Sequence, residues 1–257
     1  MDVDGPTSSP AKEVGTVLAT ITDGVAQATV TAGNGSSTIA VSAAPSVDRQ
    51  VIGRLVSAAL DEAAAHVNGE VHWWVQAATA DDDALAAELG LTPGRRLLQL
   101  ERPLPTGIPV EIETRPFRPG VDEEAWLRQN NRSFADHPEQ GGWTAATLAH
   151  HEAEPWFDPA GFLLHERDGR LAGSCWTKLH PATDADPELG EIYVIGVDPD
   201  YHGMGLGPQL TLAGLASIAD RGVTTGMLFV DAANTPAVKM YEKLGFAPVR
   251  EDRAYVS

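Results

Sequence analysis

The stretch GEIYVIGVDPDYHGMGLG, residues 190–207, decides how the chain is read. Its first eight residues are largely apolar and predict a buried strand. The strand runs into a turn with glycines at 203, 205 and 207, where a helix begins that extends to about residue 221. Such a turn leaves backbone N–H groups bare, and the helix N-terminus adds partial positive charge, so together they form an anion site. A pyrophosphate could sit there without any lysine. That matters in a chain of 257 residues with 36 acids, 18 Lys and Arg, and a net charge of −18. A dinucleotide fingerprint would need another glycine spacing, and Pro208-Gln209 is not the Lys-Ser/Thr pair of a Walker loop.

Outward from this segment, strand 226–231, helix 235–243 and strand 247–256 follow. Upstream lie strand 110–114, helices 121–135 and 144–153, and a hairpin of 161–166 with 170–179 turned at Asp168-Gly169. The run RPLPTGIP, 102–109, reads as a linker. The expected organisation is a loose N-terminus (1–12), a first domain (13–103), a linker (104–109) and a second domain (110–257). The first domain reads as a hairpin of 14–21 with 25–31 around Asp23-Gly24, strand 38–43, helix 47–66, strand 71–77, helix 82–89 and strand 96–101.

The two halves repeat. A shift of 154 places Pro45 on Pro199, Ile52 on Leu206 and Gly53 on Gly207. A shift of 155 places Val75 on Val230 and Leu89-Gly90-Leu91 on Leu244-Gly245-Phe246. The fold class is α/β with a mixed sheet, built as two tandem copies of which the first is truncated and degenerate. In that copy Asp48 replaces His202, Val51 replaces Gly205, Thr79 replaces Asn234 and Ala86 replaces Tyr241. An acid and a β-branched side chain would repel and crowd a pyrophosphate, so the first copy is expected to be structural.

The acidity is spread along the chain, with 13 acids against 6 bases in residues 1–110 and 23 against 12 in 111–257. Nucleic acid and anionic membranes select basic surfaces, so neither is expected as a partner. The only cysteine, Cys175, cannot form an internal disulfide and is expected in the core. No signal-peptide pattern or spanning stretch is evident, and the expectation is a cytoplasmic protein, monomeric and without metal. Adjacent His150 and His151 are expected on a solvated helix face.

The glycine turn, His202-Gly-Met-Gly205-Leu-Gly207, resembles motif A of the Gcn5-related N-acetyltransferases, with His202 where that family has Gln or Arg. The segment NTPAVKMYEKLGF, 234–246, fits the motif that follows. Within the family, HPEQGGW (137–143), WTK (176–178) and GEIYVIGVDP (190–199) resemble the tandem branch that makes mycothiol from acetyl-CoA and cysteinyl-glucosaminyl-inositol. The resemblance implies a direct attack of the cysteinyl amine, with Glu191 as base and Tyr241 as the acid for the leaving thiolate. It implies acetyl-CoA contacts from Ile195, Gly196 and Val197, from His202, Gly203, Met204, Gly205, Leu206, Gly207 and Pro208, and from Asn234 and Lys239. Acceptor contacts are implied for Glu139, Lys178, Glu191 and Phe229, the last replacing a tyrosine usual in the family. The alternatives are an acetyltransferase for another amine, such as a peptide N-terminus or an antibiotic, and a non-catalytic acyl-CoA-binding module.

Overall fold

A computed structural model describes residues 16–33, 36–44, 46–67, 69–135, 140–183 and 187–257. The expected loose N-terminus, Pro45 and Glu139 lie outside the described residues. The chain divides into two compact units. The N-terminal unit holds the described residues to Gln99, with Val230–Thr235 and Pro248–Ser257. The C-terminal unit holds Leu100–Phe229 and Pro236–Ala247. The units are therefore interleaved along the sequence.

In the N-terminal unit, strands β1 (Thr16–Thr22), β2 (Ala26–Gly33) and β3 (Ser36–Ala43) form an antiparallel meander. Helix α1 (Arg49–His66) leads to β4 (Val71–Val75), which pairs parallel to β3. Helix α2 (Ala80–Glu88) and β5 (Thr92–Pro103) follow. The alternation of buried and exposed residues along β2 and the apolar face of α1 enclose one core around Ile39, Val56, Trp73 and Tyr255.

The C-terminal unit begins with a short strand, β6 (Arg115–Pro116), where the sequence suggested a strand over 110–114. Those residues spend their polar groups elsewhere. Glu111 N–H donates to Gln209 Oε1 at 2.7 Å, and the Glu113 carbonyl lies 2.8 Å from His165 Nδ1. The expected linker is likewise tied down, since Leu104 N–H donates to the Thr224 carbonyl and the Arg102 guanidinium to that of Thr106. Helices α3 (Glu123–Ser133) and α4 (Ala145–Glu152) precede β7 (Phe162–Arg167), β8 (Arg170–His180) and β9 (Leu189–Val197). Helix α5 (Leu206–Ala219), β10 (Thr225–Asp231), α6 (Thr235–Lys243) and β11 (Ala247–Val256) complete the chain. Within this unit the strand order is β10-β9-β8-β7-β6. β11 pairs antiparallel with β4, so the chain's last strand completes the N-terminal unit.

The repeat is visible in the hydrogen bonds. At the end of α2, Leu89 N–H donates to the Leu85 carbonyl and Leu91 N–H to that of Ala86. At the end of α6, Leu244 does so to Met240 and Phe246 to Tyr241. Gly90 and Gly245, at φ 77° and 84°, provide the left-handed residue that ends each helix. Helix contacts recur too. A methyl placed on Gly53 would lie 3.2 Å from Leu85 Cδ1, and one on Gly207 would lie 3.4 Å from Met240 Sδ. Among the described residues the N-terminal unit has no counterpart of β6, α3 and α4.

Candidate active site

The site starts from a strand pair that opens. β9 and β10 run parallel and pair only at Gly190↔Gly226 and Glu191↔Met227. On its other side β9 stays paired with β8 as far as Val197. Asp198 N–H donates to the Ala172 carbonyl at 2.9 Å, which fixes the phase of that antiparallel ladder. The main-chain groups of Gly196 therefore face β8, and those of Ile195 and Val197 face the open edge. The Val197 carbonyl there is 3.0 Å from His202 Nε2. Gly196 packs closely against α3. A methyl on it would lie 3.0 Å from Gln129 Nε2 and 3.2 Å from Phe134 Cε2, so it is the packing of α3 that requires glycine.

Below the opening lies the glycine turn. Gly203 and Gly205 have φ of 78° and 76°, and a methyl on either would meet nothing within 4 Å. The turn thus combines a left-handed backbone with empty space. Gly205 caps α5 with no side-chain hydrogen bond, and the first turn of α5 carries no acid. Its first N–H groups and the helix dipole remain available to an anion. Met204 is exposed and Leu206 is buried. Gly207 lies inside the helix, where it admits Met240, and Pro208 follows in the first turn.

The approach to this turn is braced by residues the sequence reading missed. Asp198 is buried, accepts from Arg132 Nε at 2.8 Å and caps a 3₁₀ turn through Asp200 N–H. Asp200 pairs with Arg132 and Arg170, and the Tyr201 hydroxyl donates to the Arg167 carbonyl. The Asp-Pro-Asp triplet at 198–200 is the local signal of such a cap.

Glu191, at the point where the strands part, is 3% exposed, not a solvent-facing strand end. Its Oε2 lies 2.7 Å from His180 Nε2. Lys178 stands directly across from it on β8, and its Nζ lies 4.6 Å from the centre of the Trp156 ring and 5.6 Å from that of Tyr193. A register shift between Trp176 and Thr177 interrupts the β8–β9 ladder here, and the Tyr193 and Val194 side chains both join the aromatic cluster around Trp176. His151 belongs to this cluster rather than to a solvated face. Its ring centre is 4.5 Å from that of Trp143, and burial pushes its pKa down, so it is neutral at neutral pH.

Tyr241 is buried on α6 with its ring edge-on to Phe246 at 5.7 Å. Burial holds its phenol well above the usual range, so it keeps its proton through neutral pH. Phe229 is half-buried on β10, and Lys239 is exposed on α6. Asn234 is exposed in the segment assigned to the N-terminal unit, and its N–H donates to the Asp231 carbonyl. Cys175 is fully buried against Gly214 and its pKa is pushed up to about 12 by burial, so it is an inert core thiol.

An uncapped helix entered through two left-handed glycines, beside a strand with one free edge, suits a ligand with a diphosphate and an amide-bearing arm. The sequence matches the family model described as Acetyltransferase (GNAT) family over residues 114–246. The chain belongs to this family and is an acetyl-CoA-dependent N-acetyltransferase. It is similar to a protein named mycothiol acetyltransferase from Thermobispora bispora, 50% identical over 209 residues, which span 79% of this chain and 70% of the relative. A protein of the same name from Thermomonospora curvata is 48% identical over 219 residues, 83% of this chain and 71% of the relative. Among solved structures, a GCN5-related N-acetyltransferase from Sphaerobacter thermophilus shares the fold with a TM-score of 0.72 and 21% identity, covering 91% of this chain and 76% of that one. A tandem GNAT protein of the clavulanic acid pathway gives a TM-score of 0.66 at 16% identity, covering 91% and 78%.

Proposed function

We propose that this chain transfers the acetyl group of acetyl-CoA to the cysteinyl amine of cysteinyl-glucosaminyl-inositol, giving mycothiol and CoA. The observation that carries the chemistry is the buried Glu191 at the mouth of the parted strands, beside an uncapped, glycine-entered helix. The acceptor's identity rests on the named relatives.

The N–H groups of residues 203–206 and the dipole of α5 hold the diphosphate, and the open edges of Ile195 and Val197 offer N–H and C=O groups to the amides of the arm. Bound acetyl-CoA supplies an activated acyl thioester. An attacking amine must be neutral, and Glu191 takes its proton directly or through one water. Tyr241, protonated through neutral pH, holds a proton at its hydroxyl for the departing sulfur. Lys178 and Glu139 hold the polyhydroxylated part of the acceptor, with Trp156 and Tyr193 steadying the Lys178 ammonium.

The test is mass-spectrometric detection of acetylated product from acetyl-CoA and a panel of amines containing the cysteinyl pseudodisaccharide, free cysteine, a peptide and an aminoglycoside. The reading requires the pseudodisaccharide to be the preferred acceptor. Preference for another amine by about tenfold or more would replace it with the broader acetyltransferase reading. Lys178→Ala and Glu139→Ala should raise the KM of the pseudodisaccharide by about tenfold to a hundredfold. They should cost little further with free cysteine, which lacks the group they contact.

A further inference from the structure

We infer that His180 is a positioning residue for proton transfer, a buried donor that holds the Glu191 carboxylate in place. The inference rests on Glu191 being the base. His180 Nε2 is 2.7 Å from Glu191 Oε2, and the two side chains are 8% and 3% exposed. An ionised carboxylate has no hydrogen to give, so the imidazole donates through Nε2. The strand register creates this contact. With Lys178 opposite Glu191 and His180 opposite Leu189 on an antiparallel pair, Lys178, His180 and Glu191 share one sheet face and His180 sits diagonally to Glu191.

The arrangement has a chemical consequence. Lys178 stands directly across from Glu191, and a carboxylate free to turn could fold onto that ammonium and leave the amine. His180 engages Oε2 and leaves Oε1 as the oxygen that receives the amine's proton. In that step the N–H bond of the amine breaks, an O–H bond forms at Oε1, and the imidazole keeps its own Nε2 proton throughout. His180 and Lys178 face Glu191 from β8, and Tyr193, which also feels the Glu154 charge, lies near it on β9. β10 presents the uncharged Met227 opposite it. Removing the imidazole donor removes the hydrogen bond that orients the carboxylate.

The experiment compares His180→Leu, which keeps bulk and loses the donor, with His180→Gln, whose amide N–H reaches about as far as Nε2. The leucine variant should lose about 10–100-fold in kcat and keep its KM for acetyl-CoA within about twofold. The glutamine variant should recover most of kcat. Added to Glu191→Gln, His180→Leu should cost less than about twofold more, because the carboxylate it orients is gone. Should leucine prevent folding, His180→Asn, too short to reach Oε2, takes its place, with acetyl-CoA affinity by calorimetry as the check on an intact site. Unchanged kcat in the leucine variant, equal damage in leucine and glutamine variants, or losses that multiply in the double variant would each overturn the inference. A Glu191→Gln enzyme with full activity would overturn the base assignment itself, an outcome distinct from those three.

Discussion

Two helix entries in this chain descend from the same pattern and have opposite chemistry. In the C-terminal unit α5 begins after Gly203, Met204 and Gly205 and has no side-chain cap. In the N-terminal unit the corresponding residues, Arg49, Gln50 and Val51, are themselves helical, and Asp48 caps α1 by accepting from Gln50 N–H at 2.7 Å. The carboxylate of Asp48 occupies the place an anion would need. The strand pairs differ in the same sense. Ser37↔Val71 and Thr38↔His72 match Gly190↔Gly226 and Glu191↔Met227 at shifts of 153 and 155, but β3 and β4 stay zipped through Ala40↔Trp74. The comparison teaches that the packing contacts recur, as at Gly53–Leu85 and Gly207–Met240, while in the N-terminal unit the strand pair is closed and the helix capped.

The largest effect should come from closing the open entry. Gly205→Val puts a β-branched side chain at φ 76° and into the space beside the N–H groups, and acetyl-CoA affinity should fall by more than about a hundredfold in calorimetry. Gly53→Val presses on Leu85 and should lower the melting temperature with affinity unchanged. Equal loss of binding in both variants would break the comparison.

Next in size is proton transfer. Glu191→Gln should slow turnover by about 10²–10⁴ at neutral pH, with partial recovery at high pH, where more amine is already neutral. Thr38, its counterpart, should tolerate substitution with no change in rate. Tyr241→Phe should slow turnover while acetyl-CoA affinity stays nearly intact. Losses below about threefold at both 191 and 241 would show that the roles are misplaced.

A smaller effect sharpens the contrast. Asp48→Ala removes a helix cap and should cost about 1 kcal/mol in thermal or urea unfolding. It should create no second acetyl-CoA site, because the loop glycines are absent and α1 already extends through that position. A stoichiometry of two in titration would overturn this.

The smallest effect lies in the ion pairs of the N-terminal unit. The Arg96 guanidinium, with that of Arg253, holds the Glu251 carboxyl down at about 2, against an ordinary 4.5. A depressed carboxyl stabilises the fold fully above pH 4.5, and the contribution is lost as pH falls through 2. Wild type should exceed Glu251→Gln by about 0.5 kcal/mol at pH 7, with the gap closing on acidification. A gap that widens toward pH 2 would reverse the sign.

Much of the fold was legible because its signals are local. Asp23-Gly24 and Asp168-Gly169 mark hairpins, and the strands on either side lie within a few residues of where the pattern puts them. The glycine turn was legible because left-handed φ demands glycine at 203 and 205. Where a strand or a polar group depends on a distant partner, legibility ended. The strand expected at 110–114 gave way because Gln209 took the Glu111 N–H. His180 lies eleven residues from Glu191 and showed no motif of its own, since only strand pairing brings the two together. Arg132 reaches Asp198 across 66 positions in the same way.

By itself the sequence determined the glycine-entered helix, the repeat, and the degeneration of the first copy, because each follows from short-range backbone sterics, capping chemistry and residue spacing. Tertiary structure alone decided where β9 and β10 part, which edge of Ile195 and Val197 is open, that Glu191 is buried against His180, and that β11 completes the N-terminal unit. These depend on which strands pair and how far. Pairing is set by burial summed over residues far apart in the chain, and no local window of sequence contains that sum.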